Sequence, residues 1–420
     1  MNMFTTQKSA TRSDVWRKFL ELRAAEKEPV LLDTAANAGG RSLIFVPGEG
    51  GEQGRDLADS EAVWAGFYAY DQGLEWMGVE SRQVRKLPGI WWKKCNEVYE
   101  FEVVTEDGEE FLAGLRAGKC DFSVGKIEAG ISKEEYLAAI AEIKQALRDG
   151  ETYQVNFAQE LRAKFEGDAF GLYAAMFSAN PSAMCFFAEQ RAVDGGLDFA
   201  VCSNSPERLF SLRKVGGEDP RFVLRTEPIK GTVAADEDPE FLLRDPKSYA
   251  ELTMIVDLMR NDFGKVARSG SVKVLEHQAL MKLANVWHAY SVVEAELADD
   301  FVEKKSDGLE DVLTAVFPGG SVTGCPKKRT MEIIDRLENF SRGAYCGSAG
   351  YVRFGEGGQV EEADFNIMIR TATIFGGRDD VGAQVNFPVG GGIVWDSDAE
   401  AEYEETLDKG KIFVSLGHEK

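Results

Sequence analysis

Residues 132–157 read SKEEYLAAIAEIKQALRDGETYQVNF, and within them the spacing of the apolar residues changes from one period to another. Ser132 followed by Glu135 is a signature of a helix N-terminus, apolar residues then recur every three or four positions, and Gly150 ends the pattern. From Tyr153 to Phe157 apolar and polar residues alternate, which is typical of a strand with one polar face. The stretch therefore predicts a helix followed directly by a strand.

Strand-like and helix-like segments continue on both sides of this stretch. Several predicted strands are adjacent and hairpin-like, so the sequence favours a mostly antiparallel α+β fold built in layers over a regular alternation of strand and helix. Short glycine-rich pieces at 355–358 and 389–392 predict turns. Helices are predicted at 168–178, 246–267, 308–316, 326–338 and 398–416, and strands at 184–189, 197–204, 208–212, 222–226, 344–354, 365–375 and 384–389.

Length and composition narrow the class of protein. The chain has 420 residues, more than the ~250–300 at which a single core stops growing, and we expect a first lobe over 1–125 and a larger one over 126–420. A net charge of −23 argues against binding to nucleic acid or to an anionic membrane. No membrane span or secretory signal is indicated, and six dispersed cysteines fit reduced thiols, so we expect a cytoplasmic protein.

Acidic residues on two predicted helices are candidate metal ligands. Glu402, Glu405 and Lys409 share one face of the helix 398–416, which is either a solvated acidic stripe or a face that binds a metal and an anion. Glu251 lies at the margin of the apolar face of the helix 246–267. Because Mg²⁺ needs only one or two protein carboxylates beside water and substrate oxygens, Glu251 and Glu402 would suffice as its protein ligands.

Other candidates are single polar residues in apolar surroundings. Glu207 follows Ser-Pro at a predicted turn, where it either overhangs a cleft or pairs with Arg208 on the surface. His288 lies in an apolar stretch, where a lone histidine is more often a core residue than a catalyst. Arg370 lies in the middle of the predicted strand 365–375, and a buried arginine there indicates an anionic ligand. Lys230, in RTEPIKGT, is either a residue that takes part in chemistry or a charge exposed to solvent.

Seven motifs together resemble those of the chorismate-binding enzyme family. They occur in the family's order between about residues 132 and 416, and they read SPERLF, PIKGT, AELTMIVDLMRND, FPGGSVTGCPKKRTMEIID, YCGSAGYV, FNIMIRTA and GGGIVWDSDAEAEYEET. The resemblance implies a four-layer α/β/β/α fold with two orthogonally packed, largely antiparallel sheets. It also implies an N-terminal lobe over 1–125 and a chorismate-binding catalytic domain over 126–420.

The resemblance further implies a role for each candidate position. Glu251 and Glu402 would hold Mg²⁺, and Glu405 would hold a metal-bound water. A carboxylate of chorismate would be bound by Arg370 and Lys409, with Thr232 and the backbone near Gly347 and Gly391 assisting. Glu207 would be the general acid that protonates the departing C4 hydroxyl, and His288 would lie close to that leaving group.

Two positions imply which reaction of the family this chain performs. Gln154 is one of the predicted substrate-binding positions. In isochorismate and salicylate synthases the matching position has a lysine that activates water. Lys230 resembles the lysine that marks aminodeoxychorismate synthases, where the amine adds to C2 and ammonia then attacks C4.

No glutaminase motif is present in the chain, so the resemblance implies a separate glutamine amidotransferase subunit as partner, with free ammonia as a substitute. The alternatives are anthranilate synthase component I and a non-catalytic homologue that binds an amidotransferase. The latter is motivated by the acidic VAADEDPE at 233–240, where the family has a basic segment.

Overall fold

The computed structural model describes residues 3–35, 40–48, 62–116, 121–216, 220–282, 286–377 and 382–416. In chain order, the strands are β1 Phe4–Thr11, β2 Val30–Asp33, β3 Arg41–Pro47, β4 Val63–Tyr68, β5 Ile90–Thr105, β6 Phe122–Val124, β7 Glu128–Ala129, β8 Gln154–Gly167, β9 Cys185–Arg191, β10 Leu197–Ser203, β11 Arg208–Val215, β12 Arg221–Glu227, β13 Ile229–Ala234, β14 Lys273–Lys282, β15 Val286–Glu296, β16 Gly324–Cys325, β17 Ser348–Phe354, β18 Val360–Asn366, β19 Thr371–Phe375 and β20 Gln384–Ile393.

Helices cover the two outer sides of these strands. They are α1 Arg12–Ala24, α2 Tyr70–Trp76, α3 Gly108–Arg116, α4 Lys133–Arg148, α5 Ala169–Ala179, α6 Glu240–Arg244, α7 Pro246–Gly264, α8 Phe301–Lys304, α9 Ser306–Val316, α10 Lys327–Leu337 and α11 Ala399–Ser415. Of the helices in the described segments, none has both the length and the apolar composition that crossing a membrane requires.

The strand β5 is shared between two sheets. Its first part pairs with β4 and its second part with β3. From β4 the first sheet continues through β17, β18, β11, β12 and β15, and β15 also pairs with β13 and β14. From β3 the second sheet continues through β2, β9, β10, β19, β20 and β8. Among the described strands, β1 runs parallel to β5 and the other pairings are antiparallel.

Buried apolar residues form one layer between the sheets and one on each outer side. Phe45, Phe67 and Phe199 belong to the middle layer. On the first sheet, Leu252 and Ile255 of α7 and Val312 of α9 pack over Phe210 and Leu224. On the second sheet, Phe19 of α1 and Phe170 of α5 pack over Phe187 and Ile374. The predicted largely antiparallel α/β/β/α arrangement is therefore confirmed.

The helix predicted from residue 132 is confirmed as α4. Ser132 caps it, and Ser132 and Glu135 exchange the two hydrogen bonds of a capping box. Its buried face contains Tyr136, Ile140 and Ile143. This face packs on β8 and α11, so the helix places the start of β8 beside the last helix of the chain.

Two sequence predictions for the segment 365–392 are wrong. The strand predicted over 365–375 is two strands, β18 and β19, and Arg370 lies between them with φ 51°. The glycine run predicted as a turn at 389–392 lies inside β20, where Gly391 is paired with Phe157 of β8. The piece at 355–358 does form the predicted turn. Apolar residues lie on both sides of Arg370, so the hydrophobic pattern gave no sign of the break.

Strands from the two expected lobes pair with each other. β4 pairs with β17, and β2 pairs with β9, so both sheets contain strands from each side of residue 126. The domain boundary between 1–125 and 126–420 stays a prediction.

A buried charge cluster stabilises the N-terminal part of the second sheet. Asp33 accepts hydrogen bonds from the side chains of Arg12, Trp16, Ser42 and Tyr173. The charged side chains of Arg12 and Asp33 are almost completely buried. Replacing Asp33→Ala leaves the Arg12 charge with Glu106 as its remaining carboxylate and removes the acceptor of Trp16, Ser42 and Tyr173. We therefore expect the free energy of unfolding to fall by about 3–5 kcal/mol.

Urea unfolding followed by circular dichroism measures this change. The matched control is Asp257→Ala, which removes an exposed ion pair with Arg260 and should cost about 0.5 kcal/mol. Equal losses in the two variants would show that burial does not make the Arg12–Asp33 pair important.

Candidate active site

A cavity of about 770 Å³ lies where elements of both sheets meet, a volume typical of a small-molecule site. Residues of the first sheet and α7 line one side of it, and residues of β8, β20 and α11 line the other. It brings together nine of the predicted site residues: Glu207, Lys230, Glu251, His288, Arg370, Gly391, Glu402, Glu405 and Lys409.

Lys230 owes its position to a β-bulge. The register between β13 and β15 shifts between Lys230 and Thr232, and Gly231 has φ +76°. A bulge next to a cleft re-aims the preceding side chain, and glycine adopts this φ without strain. Lys230 borders the cavity, and its Nζ atom lies 3.9 Å from Oε2 of Glu251. With 18% of its side chain exposed, Lys230 is not a fully solvated surface charge.

The same bulge orients His288. The Gly231 carbonyl oxygen lies 3.1 Å from Nδ1 of His288. Because a carbonyl only accepts, Nδ1 carries the hydrogen and donates it, which leaves Nε2 as the unprotonated nitrogen. Burial lowers the pKa of His288 to about 4. At neutral pH, His288 therefore borders the cavity as a neutral imidazole.

Glu207 lies in the turn from β10 to β11 and is 5% exposed. Its backbone N–H donates to Oγ of Ser205, and its carbonyl accepts from the N–H of Ile367, which fix the turn. Burial raises the pKa of the Glu207 carboxyl to about 7, an effect that Ser321 and the charge of Lys230 partly offset. A carboxylic acid that is still substantially protonated near neutral pH is suited to donate a proton.

The alternative interpretation of Glu207 as half of a surface ion pair is wrong. Its neighbour Arg208 instead pairs with Glu227 and Asp364, at 2.6 Å and 2.9 Å.

Arg370 and Lys409 supply positive charge to the cavity. In the described part of the chain, no carboxylate lies within ion-pair distance of the Arg370 guanidinium, which borders the cavity. The backbone of Arg370 has φ 51°, a left-handed conformation that is uncommon for non-glycine residues. Lys409 donates to the carbonyl of Gly390 at 2.9 Å and pairs with Glu405 at 2.7 Å. A half-buried guanidinium in this setting indicates an anionic ligand.

Carboxylates from two helices face the cavity and suit a divalent cation. Glu402 is 3% exposed, so α11 does not present a solvated acidic stripe at this position, and its Oε1 accepts from the Ser397 hydroxyl at 2.7 Å. A methyl group on Gly391 would lie 3.3 Å from Oε2 of Glu402 and 3.8 Å from Oε1 of Glu405. Glu251 borders the same cavity from α7. These oxygen donors fit Mg²⁺.

Within the described residues, no three His, Cys, Asp or Glu side chains lie close enough together to hold a metal by themselves. A metal here would therefore take fewer protein ligands and fill its coordination with water and substrate oxygens, as is common for Mg²⁺.

Among the predicted positions whose side chains the structure describes, Gln154 and Gly347 do not border the cavity directly. Gln154 is buried behind Gly392. The N–H of Gly347 donates to the Ala344 carbonyl and its own carbonyl accepts from Met368, so both backbone groups are engaged within the fold. Thr232 lies on β13 opposite His288, and its side chain lies outside the described part of the structure.

The sequence interpretation assigned no role to several residues that line the cavity. Asn156 of β8, Ser321 and Tyr345 all border it. Asn156 was visible only as one polar residue in the alternating stretch 153–157, and alternation does not distinguish a face toward water from a face toward a cavity.

Comparison with known proteins identifies the family of this chain. The family described as chorismate binding enzyme matches residues 3–415. The aminodeoxychorismate synthase component 1 of Klebsiella aerogenes is 41% identical over 67% of this chain and 57% of its own. An anthranilate synthase component 1 of Haloarcula marismortui is 39% identical over 69% of this chain and 54% of its own. The chain thus spans little more than half the length of the curated relatives that it matches.

Solved structures share the fold at lower identity. Anthranilate synthase component I of Streptococcus pneumoniae superimposes with a TM-score of 0.64 and 24% identity, over 85% of this chain and 81% of that one. The menaquinone-specific isochorismate synthase of Escherichia coli gives a TM-score of 0.65 at 20% identity, over 93% and 89% of the two chains. With the family match extending over nearly all of its length, this chain belongs to the chorismate binding enzyme family.

Proposed function

We propose that this protein is the chorismate-converting component of an aminodeoxychorismate synthase, forming 4-amino-4-deoxychorismate from chorismate and ammonia for the synthesis of 4-aminobenzoate and folate. The observation that carries the proposal is the presence of the Lys230 amine and the Glu207 carboxyl in one cavity, where burial raises the pKa of Glu207 to about 7. The similarity to anthranilate synthases is equally high, so the proposal rests on the site.

The reaction assigns one step to each of these groups. The Lys230 nitrogen forms a bond to C2 of chorismate while the C4 hydroxyl departs as water with the proton of Glu207. Ammonia then forms a bond to C4 and the lysine nitrogen leaves C2. The ammonia nitrogen gives up a proton, which restores Glu207 to its acid form. The net change is chorismate and ammonia to aminodeoxychorismate and water.

The charged residues around the cavity would bind the two carboxylates of chorismate. Arg370 and Lys409 suit one of them, since a guanidinium can pair with a carboxylate through two hydrogen bonds. Glu251 and Glu402 would hold Mg²⁺, with Glu405 close by. When bound, the ion supplies a Lewis acid that neutralises the second carboxylate and draws electrons from the ring.

Ammonia would come from a glutamine amidotransferase subunit in the cytoplasm. The relatives named above are themselves described as component 1, which agrees with a second subunit. Ammonium salts would replace that subunit in vitro, since the proposed reaction takes place in the cavity of this chain.

The product formed from chorismate, Mg²⁺ and ammonium chloride tests the proposal. We expect liquid chromatography with mass detection to show 4-amino-4-deoxychorismate, which yields 4-aminobenzoate once a lyase is added. Anthranilate formed by the purified chain alone would identify the alternative activity. Unchanged chorismate, from a chain that still binds an amidotransferase, would favour the non-catalytic homologue.

A further inference from the structure

Asn156 has no role in the function proposed above, yet it borders the cavity. It lies on β8 opposite Gly392 and is 6% exposed. Its neighbours along the strand, Val155 and Phe157, point into the apolar layer under α4. The pleat therefore turns the Asn156 side chain to the same side of the strand as the cavity.

The contacts of Asn156 determine which end of its amide faces the cavity. Nδ2 donates to the carbonyl of Val322 at 3.1 Å and lies 3.9 Å from Sγ of Cys346. A carbonyl can only accept, so the amide nitrogen has to face Val322 and the oxygen has to point away from it. Among the described residues no donor reaches Oδ1, and Oδ1 is not one of the fully buried polar atoms that lack a partner, so part of it is accessible. Oδ1 is thus an acceptor that is open to the cavity.

A buried ion pair fixes this arrangement. Arg342 donates from Nη2 to the Asn156 carbonyl at 2.6 Å and from Nη1 to the Val322 carbonyl at 2.9 Å. Its guanidinium is held at both ends by Glu338, which also accepts from the N–H of Ala158. Both backbone segments that position the amide are therefore attached to one rigid, fully buried group.

We infer that Oδ1 of Asn156 binds the incoming ammonia by accepting one of its N–H groups. Ammonia reacts through its lone pair, so a site for it needs acceptors for the hydrogens and no strong donor toward the nitrogen. Asn156 supplies such an acceptor on the wall of the cavity that Lys230 and Glu207 also line. This inference rests on the proposed function, which makes ammonia a reactant.

The Asn156 side chain is an uncharged acceptor, which suits ammonia better than a carboxylate would. A carboxylate at this position would attract a cation and favour ammonium over ammonia. Ammonium has no lone pair and does not react. An amide oxygen accepts the hydrogen bond without that preference, whereas an apolar side chain of the same size would provide no acceptor at all.

Steady-state kinetics on Asn156→Leu and Asn156→Asp test the inference. In one series ammonium chloride is varied at saturating chorismate, and in the other chorismate is varied at saturating ammonia. Loss of one hydrogen bond should raise the KM for ammonia about tenfold in Asn156→Leu. Asn156→Asp should raise it by a similar factor, and the KM for chorismate should stay within about twofold. The Val322 carbonyl keeps its bond from Arg342 in both variants, and a thermal melt checks that they are folded.

The control is Asn339→Leu, which removes an exposed amide outside the cavity and should leave both constants unchanged. An unchanged KM for ammonia in Asn156→Leu would overturn the inference. A rise confined to the KM for chorismate would also overturn it, because Oδ1 would then contact a substrate hydroxyl. Product analysis of the unaltered chain distinguishes failure of this inference from failure of the proposed function. An unaltered chain that consumes no chorismate would overturn the proposed function and this inference together.

Discussion

Lys230→Ala should lower the rate of aminodeoxychorismate formation by about a thousandfold or more, because the substitution removes the amine that forms the bond to C2. Chorismate affinity should stay within about threefold, since Arg370, Lys409 and the metal-binding carboxylates keep their places. Turnover with saturating ammonium chloride gives the rate, and isothermal titration with chorismate and Mg²⁺ gives the affinity. The effect should be confined to the chemical step.

Lys230→Arg is the matched control for charge. It keeps a cation near Glu251 but lacks a nucleophilic amine, so it should be as inactive as Lys230→Ala. Near-normal turnover in either variant would remove Lys230 from the reaction. Equal losses of turnover and of chorismate affinity would make it a binding residue instead.

Glu207→Gln should lower turnover by about a hundredfold to ten-thousandfold, the usual contribution of a general acid. The amide keeps the size of the side chain but has no acidic proton to give to the departing hydroxyl. At a constant concentration of free ammonia, the unaltered enzyme should also lose activity as the pH rises through about 7, since burial raises the Glu207 pKa to that value and the ionised form cannot donate. A plot of kcat/KM against pH should show this fall in the unaltered enzyme and not in Glu207→Gln.

Glu227→Gln provides the comparison for Glu207→Gln. Glu227 pairs with Arg208 and Arg225 near the same turn but does not border the cavity, so its replacement should leave the pH profile unchanged. A profile for Glu207→Gln that still falls at the same pH would assign the fall to another group and argue against Glu207 as the acid.

Local patterns predicted some elements well because their causes are local. The capping box of Ser132 and Glu135 and the apolar spacing that follows it fix α4 without reference to the rest of the chain. The alternation from Tyr153 to Phe157 likewise marks the start of β8, although its polar face turned out to be buried. Such signals depend on residues within a few positions of one another.

Other features depend on contacts between distant segments, which no local pattern reports. The break at Arg370 has apolar residues on both sides, so the hydrophobic pattern predicted one strand where there are two. The glycine run in β20 is required because residues distant in the chain pack closely against it. A methyl group on Gly390, for example, would lie 2.8 Å from the Tyr345 hydroxyl. The orientation of the Asn156 amide depends on Arg342, which is 186 positions away in the chain.

The carboxylates show what the sequence could and could not establish. Spacing placed Glu402, Glu405 and Lys409 on one helix face but did not decide between water and a cavity. The structure places all three at the cavity and shows that Glu251 borders it from another helix. Whether Mg²⁺ binds there stays a prediction.

The bond between Lys230 and C2 of chorismate is tested by the intact mass of the protein after brief incubation with chorismate and Mg²⁺ in the absence of ammonia, followed by an acid quench. Without ammonia the lysine bond to C2 cannot be displaced by amination, so we predict a species heavier by the mass of chorismate less one water. Peptide mapping should place the addition on Lys230, and Lys230→Ala should show none. An addition on another residue, or none on a chain that turns over with ammonia, would contradict the account.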